Sequence, residues 1–206
     1  MKLIELILDS EMELSGIDAI SIVENPAIEE NFIALKGETK EYNFAEVSKE
    51  KRIIMGAMLV PDKPIYRRDE ENGEYYIYFS QDTIRKCMEL FFQNGNQSKA
   101  TFEHFEKISG LTMVESWIVE DTEKDKSNLY DLNVPVGTWM GSIKVENDVI
   151  WNDFVKTKKV KGFSIEGYFA DKAKMPLSKI EDETDAEIEA GLQLLEIKKW
   201  LSDNGY

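Results

Sequence analysis

Apolar and polar positions along this chain fall into short blocks separated by turn-forming residues, the pattern of a β-rich domain. Lys51-Arg-Ile-Ile-Met-Gly-Ala-Met-Leu-Val60 is a near-continuous apolar run closed by Pro61. Such a run predicts a central strand. Tyr66–Phe79 reads as a hairpin with Asn72-Gly73 at its turn. Leu111–Glu120, Gly137–Val145 and Val160–Ala170 each predict a further strand. Ala100–Glu106 is short and aromatic, which puts His104 on a strand or at its end. The period changes in two places. After Ser80, a cap residue, Ile84, Cys87, Met88, Phe91 and Phe92 recur at helical spacing until Asn94-Gly95, predicting a helix from about Gln81 to Gln93. Val149, Ile150, Phe154 and Val155 predict a short helix over 149–156.

The two ends read differently. Lys2–Leu8 is a short strand interrupted by Glu5, and Asn25-Pro26 stops any regular element begun at Gly16. Gly37–Lys51 is polar with little periodicity. Residues 1–48 therefore form an amino-terminal arm and linker, and 49–172 form the main domain. Residues 173–206 form a polar linker and an amphipathic helix. That helix opens on the capping box Thr184-Asp-Ala-Glu187 and carries Ile188, Leu192, Leu195 and Leu201.

Composition narrows the classes. A chain of 206 residues suits one domain with appendages. Its net charge of -15 would repel a phosphate backbone, so a nucleic-acid partner is not expected. One cysteine, Cys87, leaves no internal disulfide and suits a reducing compartment. One histidine and one cysteine do not make a zinc site, and no metal or other cofactor is expected. No apolar run approaches a membrane span, and the first nine residues are too short and too acidic for a signal peptide.

The candidate chemistry is nucleophilic. Serine needs a base to take its proton, histidine is the usual one, and a third group orients the ring. The base can only be His104, and the serine close to glycines in Lys161-Gly-Phe-Ser-Ile-Glu-Gly-Tyr-Phe169 is Ser164. Glu115 is the first choice for the third member, as an acid set in an otherwise largely apolar strand, where a charge is costly to bury unpaired. Glu166 and Asp171 are alternatives near Ser164, and alternation puts Glu166 on the same side of its strand as Ser164. The segment does not match the Gly-x-Ser-x-Gly elbow. By residue type alone, a histidine between phenylalanines is more often packed or surface-lying than catalytic, and an acid such as Glu115 more often forms a salt bridge. Trp117, Trp139 and Trp151 read as core residues.

Taken in order, several short motifs carry a resemblance. They are Lys51–Asp62, Phe79-Ser80, Glu103-His104, Val114-Glu-Ser-Trp-Ile118, Gly137-Thr-Trp139, Ile150-Trp151 and Gly162-Phe-Ser-Ile-Glu-Gly167. As a set they resemble the tailed-phage prohead serine proteases of the XkdF type over about residues 50–171. Gly16–Ala27 also looks like the start of such proteins from large phages of gut Bacteroidetes. The resemblance implies an α+β, mainly antiparallel fold: a β-barrel with surrounding helices, similar to the herpesvirus assemblins. It implies a serine endopeptidase of capsid maturation, with His104 and Ser164 in the family's order and Glu115, Glu166 or Asp171 behind the ring. Its partners would be the phage scaffold and the major capsid protein, whose extension it would cleave, and it would also cleave itself. It would work in the host cytoplasm, inside the procapsid, with no nucleic acid or membrane. A homodimer fits, because assemblins dimerise and the last helix offers an apolar face. The oxyanion donors are not legible; Gly141 and Gly162 are the guesses. The competing expectation is a catalytically inactive relative serving as an assembly or scaffold component.

Overall fold

In a computed structural model of the chain, the described residues are 2–9, 15–24, 26, 45–48, 51–69 and 73–171. They fall within one compact unit, Met1–Asp171. In chain order they form β1 (Lys2–Ile7), β2 (Gly16–Val23), β3 (Ala45–Ser48), β4 (Ile53–Leu59), β5 (Ile65–Asp69) and β6 (Gly73–Tyr78). Helix α1 (Gln81–Gln93) follows, then β7 (Ala100–Phe102), β8 (Glu106–Ile108), β9 (Leu111–Ile118), β10 (Trp139–Val145), β11 (Gly162–Tyr168) and β12 (Ala170–Asp171). The strands make three four-stranded sheets, ordered β12-β1-β6-β5, β3-β4-β10-β9 and β11-β2-β7-β8. Among the described pairings, β1–β6 and β2–β7 are parallel and the others antiparallel.

The expected barrel with surrounding helices does not form. Closure requires every strand to have a ladder neighbour on both sides, and none of the three sheets closes on itself. β11 and β4 are in contact but share no ladder, so the seam between their sheets is packed rather than hydrogen-bonded. α1 is the one α-helix among the described residues. The α+β, mostly antiparallel character remains.

Local patterns account for most elements. β4 is apolar throughout because it lies between β3 and β10, with Ile54 and Met55 fully buried. Its neighbour β10 buries Trp139 and Met140. α1 spans the expected residues and buries Thr83, Ile84, Cys87 and Phe91. Phe91 meets Trp139 edge-to-face, with ring centroids 5.5 Å apart, and this docks the helix on β10. Ser80 precedes the helix without a side-chain cap; its hydroxyl pairs with Thr83 Oγ1 at 3.0 Å. Burial pushes the Cys87 thiol up to about 12, so it stays protonated within the core. The short helix expected over 149–156 is a single π-helical turn, Ile150–Val155, that buries Trp151. The hairpin pairs β5 with β6, Arg68 opposite Glu74. Its tip at 70–72, most of the arm and linker at 27–44, and the amphipathic helix within 173–206 lie outside the described residues.

The arm segment does more than lead into the main domain. It supplies β1, which pairs with β6 and β12, and β2, which lies between β11 and β7. The β11-β2-β7 part of that sheet is two-faced. Ile20 lies opposite Ile165 and Ala100, and Ile22 opposite Phe163 and Phe102, giving an apolar face. Ser21 lies opposite Ser164 and Thr101, and Glu166 opposite Ala19, giving the other face. Residues in register share a side of the pleat, so four polar side chains from three strands gather on one surface.

A bulge closes this arrangement. Between Glu166 and Gly167 the register skips Asp18, and Gly167 comes to rest on the backbone of β2. A Cβ at Gly167 would run into the Gly16 carbonyl and come within 2.9 Å of Ile17 Cα. Neither is a flexible side-chain end, so the backbone itself would have to move. Gly167→Ala is therefore expected to cost about 2–3 kcal/mol by strain and to loosen β11 from β2. Denaturant unfolding, with amide exchange at β11, checks this; a loss below about 0.5 kcal/mol would contradict it.

Candidate active site

His104 stands in the turn between β7 and β8. Phe105 N–H donates to the Phe102 carbonyl at 3.1 Å, closing a tight reversal with Glu103 and His104 at its centre. Both central residues are left-handed, with φ of 49° and 62°. Such turns favour Asn-Gly, and side chains as large as these are strained there. The turn persists because β2 pins it twice and Glu24, just beyond the strand, pins it once more. Glu103 N–H donates to the Ile22 carbonyl at 3.2 Å. His104 N–H donates to Ser21 Oγ at 3.0 Å. Glu24 N–H donates to the Glu103 carboxylate at 2.6 Å.

The imidazole is then held by Glu166. Glu166 Oε1 lies 3.1 Å from His104 Nδ1 and also accepts from the Thr101 hydroxyl. A carboxylate can only accept, so the tautomer that makes this contact carries a proton on Nδ1 and offers Nε2 as its lone-pair nitrogen. This is the orientation a general base needs. The side chains of His104 and Glu166 remain partly open, at 41% and 30% exposure. Ser164 lies two residues before Glu166 on the same face and is buried, opposite the fully buried Ser21. Among the described residues no hydrogen bond joins the Ser164 hydroxyl to the His104 ring. Such contacts are often long before substrate binds.

The other expected acids are engaged elsewhere. Glu115 sits on β9, in the β3-β4-β10-β9 sheet, whereas His104 belongs to the β11-β2-β7-β8 sheet. Its Oε2 is 2.6 Å from Lys126 Nζ and accepts from Ser142 Oγ, also at 2.6 Å. A bulge explains the placement. β9 pairs Met113 with Ile143 and Glu115 with Ser142, skipping Val114. Strict alternation would have put Glu115 on the side of Met113, but the extra residue turns it to the side of Ser142. Asp171 is on β12, 4.0 Å from Lys2 Nζ. Of the glycines guessed as oxyanion donors, Gly141 lies between Gly56 and Ser116 in the Glu115 sheet, and Gly162 opens β11 opposite Val23.

Sequence reasoning did not single out Ser21 or Thr101, and it named Glu103 only as the neighbour of His104 in the motif series. One signal was present: Ser21 is a lone hydroxyl in the apolar run Ala19-Ile-Ser-Ile-Val23. Thr101 carried none, because its role depends on a parallel pairing with β2 that sequence periodicity does not encode.

The family described as "Putative phage serine protease XkdF" matches residues 42–173, more than half of the chain. The chain belongs to this family. Comparison with curated proteins and with solved structures finds no match. The XkdF-family segment contains His104, Ser164, Glu166, Thr101 and Glu115, but it begins after β2. The strand that pins the histidine turn and faces Ser164 therefore comes from outside the matched segment.

The Glu115 environment makes its own prediction. The Lys126 ammonium first, and then the Ser142 hydroxyl, hold its carboxyl below the usual range. A depressed folded value stabilises the fold above the unfolded value, and that stability is lost as pH falls through the folded one. Glu115→Gln should therefore lower the unfolding free energy near neutral pH, by no more than the roughly 1 kcal/mol of a partly exposed pair. The gap to wild type should close as the pH drops below the ordinary glutamate range. A gap that persists in acid would refute the assignment.

Proposed function

We propose that this chain is a serine endopeptidase in which His104 is the general base, Ser164 the nucleophile and Glu166 the third member. The observation that carries the reading is the Glu166–His104 contact at Nδ1, with Ser164 two residues away on the same face of β11. Nε2 takes the Ser164 proton as Oγ attacks the scissile carbonyl, and the same proton then passes to the leaving amine. Glu166 keeps the ring oriented and stabilises its cationic form. Thr101 holds the carboxylate, and Ser21 holds the backbone of the histidine. The natural substrates in this reading are the phage scaffold and the extension of the major capsid protein. The enzyme acts inside the procapsid in the host cytoplasm and also cleaves itself.

The open Ser164–His104 gap favours one second reading: a relative that keeps the fold for assembly and does not cleave. A fluorophosphonate probe separates the two, since it labels Ser164 only where the hydroxyl is activated.

Incubating the full chain with its phage's scaffold and capsid protein tests the assignment. Ser164→Ala and His104→Asn should each lower cleavage by about 10⁴-fold or more. The folded state should be retained, because asparagine tolerates the left-handed turn. Glu166→Gln should lose about 10²–10⁴-fold, because an amide can leave the ring in the wrong tautomer. Glu115→Gln should stay near the wild-type rate. A large loss in Glu115→Gln with none in Glu166→Gln would reverse the assignment of the third member.

A further inference from the structure

β2 joins the two halves of the candidate site, and it comes from ahead of the segment matched by the family. Ser164 and Glu166 stand on β11, Thr101 on β7, and His104 in the turn that follows β7. Among the described residues β11 and β7 share no ladder, and each pairs with β2 instead. Two strand spacings, about 10 Å, therefore separate them. The Glu166 side chain bridges that gap to Thr101 and His104. The residue opposite it on β2 is Ala19, whose single methyl leaves room for the crossing.

The strand is held by contacts of its own. Ile17, Ile20, Ile22 and Val23 are buried. Asn96 Nδ2 donates to the Ile17 carbonyl at 2.9 Å. Ile20 N–H donates to the Lys99 carbonyl at 3.2 Å, and Lys161 N–H to the Val23 carbonyl at 2.9 Å. Just past the strand, buried Pro26 lies so near Gly162 that a Cβ there would strike the proline ring. All these contacts are made by residues 16–26 and do not depend on the covalent link from β2 to β3.

The position of β2 is that of a brace and not of a plug. A segment that inhibits a protease lies over the reacting groups. β2 runs within the plane of the sheet, and with it in place the side chains of His104 and Glu166 keep 41% and 30% of their surface open. It also contributes to the geometry directly, since Ser21 Oγ accepts the His104 N–H at 3.0 Å.

We propose that β2 is an activating strand, and that the amino-terminal arm switches the protease on by inserting between β11 and β7. This rests on the protease reading above and adds its regulation. A cut within residues 27–44 leaves activity intact while β2 stays in its place. Departure of β2 switches the site off. The activity of a cut chain therefore depends on its concentration, because the strand is then held by binding alone.

The test uses the full chain with the recognition sequence of a specific protease inserted after Gly37, cut only after folding. The cut protein should cleave scaffold at the uncut rate while its two pieces elute together. Once dilution and gel filtration remove the arm, cleavage and fluorophosphonate labelling of Ser164 should fall about 10²-fold. A synthetic peptide of residues 15–26 should restore both. The same peptide with Ser21→Ala should bind but restore no more than about a tenth of the rate, which separates positioning from mere support. If the stripped protein unfolds beyond rescue, Ser21→Ala in the uncut full chain gives the answer: folded by circular dichroism, with kcat lowered about tenfold and KM little changed. A rate that rises or holds when the arm is gone, or a Ser21→Ala chain that works at the wild-type rate, would overturn this inference alone. Absence of cleavage by the uncut wild type, or cleavage that survives Ser164→Ala, would overturn it together with the protease reading.

Discussion

The Glu166 carboxylate ties the site together. It accepts from the Thr101 hydroxyl and faces His104 Nδ1, so one side chain on β11 gathers groups from β7 and from the turn after it. Both contacts require β2 to sit between β11 and β7 with Ser164, Ser21 and Thr101 in one row. Moving either neighbour by one residue would turn this polar face into the apolar one. The apolar face guards against such a slip, because Ile22 and Phe163 are buried on it. Hydrophobic burial on one side of the sheet thus sets the polar geometry on the other.

The histidine turn is the costly part. Two non-glycine residues in left-handed backbone cost roughly 1–2 kcal/mol each. Three hydrogen bonds from β2 and the adjoining Glu24 offset this at roughly 1 kcal/mol apiece. The balance is close to zero, which suits a turn kept for where it puts an imidazole rather than for stability. It also shows why β2 matters although it lies outside the segment matched by the family. Without β2, the turn loses its three anchors and β11 loses its ladder partner. The amino-terminal segment is therefore part of the candidate site's framework and more than an appendage.

Much of the local structure was legible from the residues. α1 occupies 81–93 because a cap residue, a helical apolar stripe and Asn94-Gly95 agree. β4 is internal because its residues are apolar without alternation, and β5 and β6 pair as the Tyr66–Phe79 pattern implied. The order of motifs led to the right family. The same reading misjudged one thing and left another open. A continuous barrel was expected, but the β11–β4 seam is packed without a ladder, and side-chain patterns do not reveal whether adjacent strands exchange hydrogen bonds. Glu115 was the first choice of three acids for the place behind the histidine; one extra residue at Val114 turns it toward Ser142 and Lys126, and Glu166 is the acid at the ring. The bulge follows from how β9 registers against β10, which the β9 residues do not fix by themselves.

The sequence alone determined which residues were candidates for the chemistry: one histidine, a serine among glycines, and three acids, Glu115, Glu166 and Asp171. It also determined most of the strands and the helix, because burial period and turn chemistry are local properties carried by neighbouring residues. Only the tertiary structure decided which acid meets the ring, that Ser21 and Thr101 take part, and that the amino-terminal strand braces the site. Those outcomes depend on register between strands far apart in the chain. Register is fixed by the packing of whole faces against one another, and no single segment contains that information.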